Sequence, residues 1–401
     1  MSLQEPAVVE LDAAHGRQVF AERHGVAPSN VVLAPYRICP LGAHVDHQYG
    51  AVVAGALDVG ITLPFRVRQD DQINLYSSVF GEEVSFSTSE LSPAPQGWLS
   101  YAQGAVLALK DLTEIDFVKG IDAIVIGGGM GTGLSSSAAV GIAYLIGLAA
   151  ANDLQLSEKK LIQLDAFIEQ QYLGLKNGTL DPAAIVFSKD GQLTEIETRF
   201  NAVKFHEAPT KSRFFTIFSG IAQALTPANY NLRVQESWHA ATLIGAHVGN
   251  ESEDQLRLGD FSGEDFLRAE SVLDEVSWKR ARHFYSETDR VRASIGTWTR
   301  GEIDELGQLM SESASSSMDL YECGATPVKD LVSIINEVDG VAGARFCGPG
   351  FRGCCVGLLE TGVELDAVVA AVDRQYSAKY PDLAEKVWAR ECVISDGARL
   401  V

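Results

Sequence analysis

No lysine follows the most glycine-rich segment of the chain, no cysteine pair stands at C-x-x-C spacing, and no uncharged run of about 20 apolar residues occurs. The first absence excludes the nucleotide loop in which a terminal Lys-Ser/Thr pair reaches phosphates and metal. The second leaves Cys39, Cys323, Cys347, Cys354, Cys355 and Cys392 as reduced packing thiols, since a chain of 401 residues needs no disulfide staples. The third, with Glu5 and Glu10 in place of a basic leader, predicts a soluble, cytoplasmic protein with no membrane partner. Basic residues are also scarce. Thirty-two against 53 acidic give a formal charge of -21, which argues against a broad nucleic-acid footprint. An anionic small molecule remains admissible where a few arginines, helix N-termini and a divalent cation supply local positive charge.

What the chain does have is Gly127-Gly128-Gly129-Met130-Gly131-Thr132-Gly133-Leu134-Ser135-Ser136-Ser137-Ala138, set between an apolar strand, Ile121 to Ile126, and an apolar helix, Ala138 to Ala151. Glycines free backbone N–H groups to turn toward an anion, and a helix N-terminus adds its dipole. Strand, glycine loop and helix in that order form a phosphate cradle; a tight packing turn is the bland alternative.

The length predicts two domains, 1–205 and 206–401. Val31 to Ala34 reads as a strand entering a polar knot, Pro35 to Gly50, with more strand from Ala51 to Phe65. Ser157 caps a helix whose core face is Leu161, Leu164, Ile168 and Tyr172, and a short helix begins near Asp181. The second half reads as helices over 230–250, 263–291, 301–320 and 327–338, then strands over 342–347 and 354–359 around a second glycine-rich turn.

Three segments carry a family resemblance: Ala34-Pro35-Tyr36-Arg37-Ile38-Cys39-Pro40-Leu41-Gly42-Ala43-His44-Val45-Asp46, the glycine-serine loop, and Gly343-Ala344-Arg345-Phe346-Cys347-Gly348-Pro349-Gly350-Phe351-Arg352-Gly353-Cys354. Together they resemble the galactokinase-like branch of the galactokinase, homoserine kinase, mevalonate kinase and phosphomevalonate kinase (GHMP kinase) superfamily. The likeness extends through Trp98-x-x-Tyr101-x-x-Gly104 and Asn229 to Arg233. It implies a two-domain α+β GHMP-kinase-like fold, with a ribosomal-protein-S5-domain-2-like N-terminal domain and a C-terminal ferredoxin-like α/β sandwich with helical insertions. The active site would lie between the domains.

By the same resemblance Arg37 and Asp181 are the catalytic pair beside a sugar's anomeric hydroxyl, and Asp46 and Tyr230 hold ring hydroxyls. ATP lays its phosphates along Gly129, Gly131, Gly133, Leu134, Ser135, Ser136 and Ser137. Ser136 and Glu169 face a magnesium ion, and Trp98 borders the adenine. Galactokinases usually carry Glu at position 43, facing the C6 end of galactose, where this chain has Ala43. A glutamate about 4 Å from a C6 carboxylate would repel it by about 4 kcal/mol at an effective dielectric of about 20. Alanine removes that repulsion, and plant-type galacturonokinases share this opening motif and the ending Phe351-Arg352-Gly353-Cys354-Cys355.

The expected activity is therefore transfer of a phosphoryl group from MgATP to the C1 hydroxyl of D-galacturonate, with the carboxylate near Tyr36, Ala43 and His44. Its partners would be a small-molecule sugar acid and ATP, its state monomer or homodimer. Two alternatives stay open: a galactose or other hexose/uronate 1-kinase, and a catalytically silent sugar-binding regulator.

Overall fold

The computed structural model describes residues 8–91, 97–116, 118–128, 132–207, 213–222, 227–250 and 252–401. Gly129 and Gly131, assigned above to the phosphate cradle, lie outside the described residues.

Strands β1 (Asn30–Leu41) and β2 (Ala51–Val67) pair antiparallel from Asn30↔Phe65 to Leu41↔Val53. Register shifts fall between Pro35 and Arg37 and between Ile38 and Leu41. The segment read as a polar knot is thus half strand. Tyr36, Ile38, Cys39 and Leu41 are all buried, so the apolar side chains hold the strand while the bulges re-aim Arg37. The first sheet continues with β3 (Gln72–Ser77), β4 (Glu82–Ser87), β5 (Ile121–Val125), β6 (Gln192–Glu197) and β7 (Ala202–Glu207). With β12 (Arg399–Leu400) at one edge, its order is β12-β1-β2-β5-β3-β4, with β6 pairing β2 and β7.

Around this sheet lie α1 (Ala13–His24), α2 (Leu99–Leu112), α3 (Ser136–Ala151), α4 (Glu158–Ala166) and α5 (Leu180–Phe187). Helix α3 is almost wholly Ala, Gly, Ile and Leu and packs on β1, β2 and α2, which delivers its N-terminus to the middle of the molecule. Ser157 caps α4 as expected, its side chain accepting from the Lys160 amide. The helix then widens into a π-turn, Phe167–Tyr172, that carries Glu169; such turns recur at functional sites.

The second half holds α6 (Pro227–Val248), α7 (Gly263–Ala269), α8 (Glu275–Arg300), α9 (Ile303–Asp319), α10 (Thr326–Asn336), α11 (Leu365–Lys379) and α12 (Pro381–Ala384). Its antiparallel sheet runs β11-β8-β10-β9, from β8 (Arg213–Phe218), β9 (Val341–Phe346), β10 (Cys354–Leu359) and β11 (Ala389–Cys392). The stretch read as one helix over 263–291 is two, because Asp274 accepts from the Ser277 amide and starts a new helix. Phe215, Leu331, Phe346, Val368 and Tyr376 form a core under this sheet.

Helices α8 and α9 and strand β10 pack on β1, which closes the two halves over a cleft. The chain then crosses back. Ile394 bridges Leu57, and β12 (Arg399–Leu400) pairs with β1, so the last residues of the predicted 206–401 half complete the first sheet. Among the described residues no helix is long and apolar enough to cross a membrane.

Candidate active site

A cleft of about 810 Å³, solvent mouth included, opens between the halves. Its walls bring together Arg37, Asp46, Glu169 and Asp181 from the first half with Tyr230 and Arg345 from the second.

Arg37 sits just past the first bulge of β1 and is 3% exposed. Its Nε donates to Oδ1 of Asp181 at 2.8 Å, and its Nη1 donates to the Gly133 carbonyl at 3.0 Å. Burial works against the guanidinium's charge, but Asp181 outweighs it and holds the pKa above the ordinary range. The Ser135 hydroxyl donates to Oδ2 of Asp181 at 2.5 Å, so both carboxylate oxygens are oriented.

Ser135 also occupies the position before α3, at φ 60°, and makes no side-chain cap to that helix. The first-turn amides of α3 have no acceptor within the helix, which leaves the helix N-terminus available to an anion. The loop is braced from the other half. Thr132 accepts from the Cys354 amide at 2.6 Å, and a Cβ on Gly353, at φ 93°, would stand 2.4 Å from the Thr132 carbonyl oxygen. Only glycine permits that approach.

Asp46 faces the same space, its Oδ2 accepting from the Leu180 amide at 3.2 Å. Burial, and then Asp181, push its pKa up to about 6. Gly178 lies against it so closely that a Cβ would come 2.4 Å from Oδ2. Tyr230, from α6, lines the cleft opposite and meets His47 edge-on at 6.4 Å between ring centroids. Asp46 and Tyr230, expected to hold ring hydroxyls, thus line one cleft with Arg37 and Asp181.

Glu169 is buried, with neutral partners: the Asn177 amide donates to Oε2, and Ser137 also hydrogen-bonds it. Burial first, then Asp181, raise its pKa to about 7. Such a carboxylate beside a phosphate cradle suits a divalent cation, whose charge would offset both effects. Among the described residues no three His, Cys, Asp or Glu converge as a metal cage. Of the two serines, Ser137 reaches Glu169 and lines the cleft; Ser136 begins α3 half-buried, outside the lining residues.

Ala43 and His44 both line the cleft. His44, at φ 61°, stacks on Tyr321 at 4.5 Å and meets the Cys323 sulfur at 3.3 Å. Burial, helped by His283 and Arg345, drives its pKa well below the usual value, so the ring is neutral. Two of the expected contacts, Tyr36 and Trp98, are not among the residues lining this cleft. Tyr36 is fully buried and donates its hydroxyl to the Gly128 carbonyl, bracing the glycine loop instead of the sugar space. Trp98 precedes α2, stacked on Phe80 at 6.0 Å and away from the cleft lining. Leu134 has a fully buried side chain, and its carbonyl accepts from the Arg37 amide at 3.1 Å.

The sequence reading missed a charged cluster behind Ala43. Glu287, fully buried on α8, accepts from the Gly42 amide at 2.8 Å, the Ala43 amide at 3.3 Å and the Ser313 hydroxyl at 2.6 Å. Arg290 pairs with it at 2.8 Å and Arg345 at 3.5 Å. Burial acts to raise its pKa, but the two arginines prevail and keep it below the ordinary value. The signal was the spacing Arg280, His283, Glu287, which puts charged groups on the buried face of α8.

Comparison with known proteins agrees with this geometry. The profile "GHMP kinases N terminal domain" matches residues 100–189 and "GHMP kinases C terminal" matches 297–378. A galacturonokinase of Arabidopsis thaliana is 39% identical, over 92% of this chain and 93% of its own. A galactokinase of Roseiflexus sp. is 29% identical, over 87% and 88%. The crystal structure of Lactococcus lactis galactokinase complexed with galactose superposes with a TM-score of 0.86 at 25% identity, covering 96% of this chain and 99% of that one. The chain belongs to the GHMP kinase superfamily, in its galactokinase-like branch of sugar kinases.

Proposed function

We propose that the protein transfers the γ-phosphoryl group of ATP to the anomeric C1 hydroxyl of D-galacturonate, giving galacturonate 1-phosphate and ADP. The observation that carries the reading is the Arg37–Asp181 pair, 2.8 Å apart, joined through Ser135 and Gly133 to the loop that would hold the phosphates.

In this reading Asp181 orients the C1 hydroxyl and accepts its hydrogen bond, while Arg37 offsets charge on the transferring group. The carboxylate is already engaged by a guanidinium and a hydroxyl, which suits positioning and electrostatic stabilisation over strong-base catalysis. Asp46 and Tyr230 hold the ring. The N-terminus of α3, with Gly133, Ser135 and Ser136, receives the phosphates. Glu169 and a helix-start serine, Ser137 or Ser136, would hold magnesium, which would supply positive charge to offset that of the phosphates. Support for a uronate over a neutral hexose comes from Ala43, which puts no carboxylate into the cleft wall, and from the 39% identical galacturonokinase.

Phosphorus NMR of products formed from galacturonate, glucuronate and galactose tests the reading. A sugar 1-phosphate from galacturonate, at higher kcat/KM than from galactose, is expected. Preference for galactose would reject it, and binding without product would favour a silent sugar-binding protein.

A further inference from the structure

Arg345 lies on β9 with its side chain buried and forms part of the cleft lining beside Cys39, Ala43 and His44. Three of its hydrogen-bonding directions are accounted for. Nε donates to the Phe346 carbonyl at 3.1 Å, and Nη1 donates to the Ser313 hydroxyl at 2.6 Å and lies 3.5 Å from Glu287. Nη2 is buried and has no hydrogen-bond partner among the described residues. A buried guanidinium nitrogen with free N–H groups is costly in a folded protein and marks a place where an acceptor belongs.

Charge points the same way. Glu287 accepts from the Ala43 amide, and it is shared by two guanidiniums, Arg290 and Arg345. That cluster holds one carboxylate and two arginines, so it keeps an unmatched positive charge. Its neighbours do not cancel it. Burial pushes the Cys39 thiol up to about 12, and His44 is neutral. The carboxylates that line the cleft among the described residues, Asp46, Glu169 and Asp181, gather around Leu180 and Asn177. The cleft therefore has an acidic, metal-facing side and a cationic side at Ala43.

We propose that Nη2 of Arg345 binds the C6 carboxylate of the sugar acid and is the specificity-determining contact of this site. The proposal rests on the uronate reading above and adds to it a charged partner, where Ala43 alone supplies only room. A planar guanidinium already fixed by Nε and Nη1 is pre-oriented for a carboxylate oxygen, and the sugar's arrival has only to open the path to the buried Nη2. A glutamate at position 43 would fill the same space with a carboxylate belonging to the protein, satisfying Arg345 and excluding an anionic sugar.

The test compares kcat/KM for galacturonate with that for its C6 amide, which has the same shape and anomeric hydroxyl but no charge. The native protein is expected to favour the acid by about 100-fold, the scale of a buried charged hydrogen bond. In Arg345→Lys the acid-to-amide ratio falls toward one, chiefly through KM for the acid. General damage to folding lowers both substrates together and leaves the ratio high, which would overturn the proposal. Ala43→Glu is the second variant: it drives the ratio below one, and an acid preference that survives it defeats the assignment even if Arg345→Lys does not fold. Failure of the underlying reading looks different, because native protein would then prefer galactose to galacturonate before any substitution is made.

Discussion

Ser135 gives its hydroxyl to Asp181 instead of capping the helix it precedes, and the 2.5 Å bond ties the glycine-serine loop to the carboxylate that pairs with Arg37. In the proposed function, phosphate binding and hydroxyl positioning thereby share one residue. Ser135 stands at φ 60°, where glycine is unstrained, so Ser135→Gly removes the hydroxyl without disturbing the backbone. Loss of a hydrogen bond to a charged group is worth about 1.5–3 kcal/mol, and kcat is expected to fall roughly 10- to 100-fold. Steady-state kinetics at saturating ATP and sugar check this; an unchanged kcat would detach Ser135 from catalysis.

Asp181→Asn tests the pair itself. The amide keeps the size and one acceptor oxygen but leaves Arg37, 3% exposed, without its counter-charge. Turnover is expected to drop about 1,000-fold, in the range of losing oriented acid–base and electrostatic groups together. ATP affinity, measured by calorimetry, should change by less than about threefold, since the α3 N-terminus is untouched. A folded variant with normal turnover removes Asp181 from the reaction.

Asp46 sets a pH limb. Its carboxyl is raised from the ordinary value to about 6 by burial and by Asp181, so the folded protein binds its proton more tightly than the unfolded chain does. The contribution to stability is therefore full below the unfolded value and is lost as pH rises through about 6. Sugar binding has the opposite requirement, an ionised acceptor for a ring hydroxyl, so kcat/KM for the sugar should fall as pH drops below about 6 at saturating nucleotide and magnesium. Asp46→Asn is expected to flatten that limb and raise KM. A limb that stays in place in the variant belongs to another group.

Much of this architecture was legible in the chain, for reasons that differ by element. The glycine-serine loop, Arg37 and Asp181 stand in short linear segments whose residue types are readable without the fold, and α3, with its small apolar residues, could only be a buried helix. What stayed hidden depends on geometry beyond the segment. A bulge breaks the alternation of β1 beside Tyr36, so adjacency to Arg37 could not say which way the ring points. Glu287 lies 244 residues from Ala43 in sequence, and a charged residue on a helix is read by default as solvated. Arg345 was visible within its glycine-rich segment, but its unfilled Nη2 appears only once Ser313, Phe346 and Glu287 have taken the other positions. The return of β12 to β1 has no local signature, because a two-residue strand is specified by the edge it meets.

Tyr36 separates the two roles that its position beside Arg37 left entangled. Its fully buried hydroxyl donates to the Gly128 carbonyl, and a Cβ on Gly127 would stand 3.6 Å from that hydroxyl, so the ring supports the entry to the glycine loop. Tyr36→Phe keeps the ring and leaves a buried carbonyl without this donor, a loss of about 1–3 kcal/mol in local stability. The consequence should appear in the nucleotide: KM for ATP rises several-fold while KM for the sugar stays within about twofold, because a loosened loop presents its amides less well to phosphate. The reverse pattern, sugar KM rising with ATP unaffected, would return Tyr36 to the sugar pocket and require the loop to be held by Thr132, Gly353 and Cys354 alone.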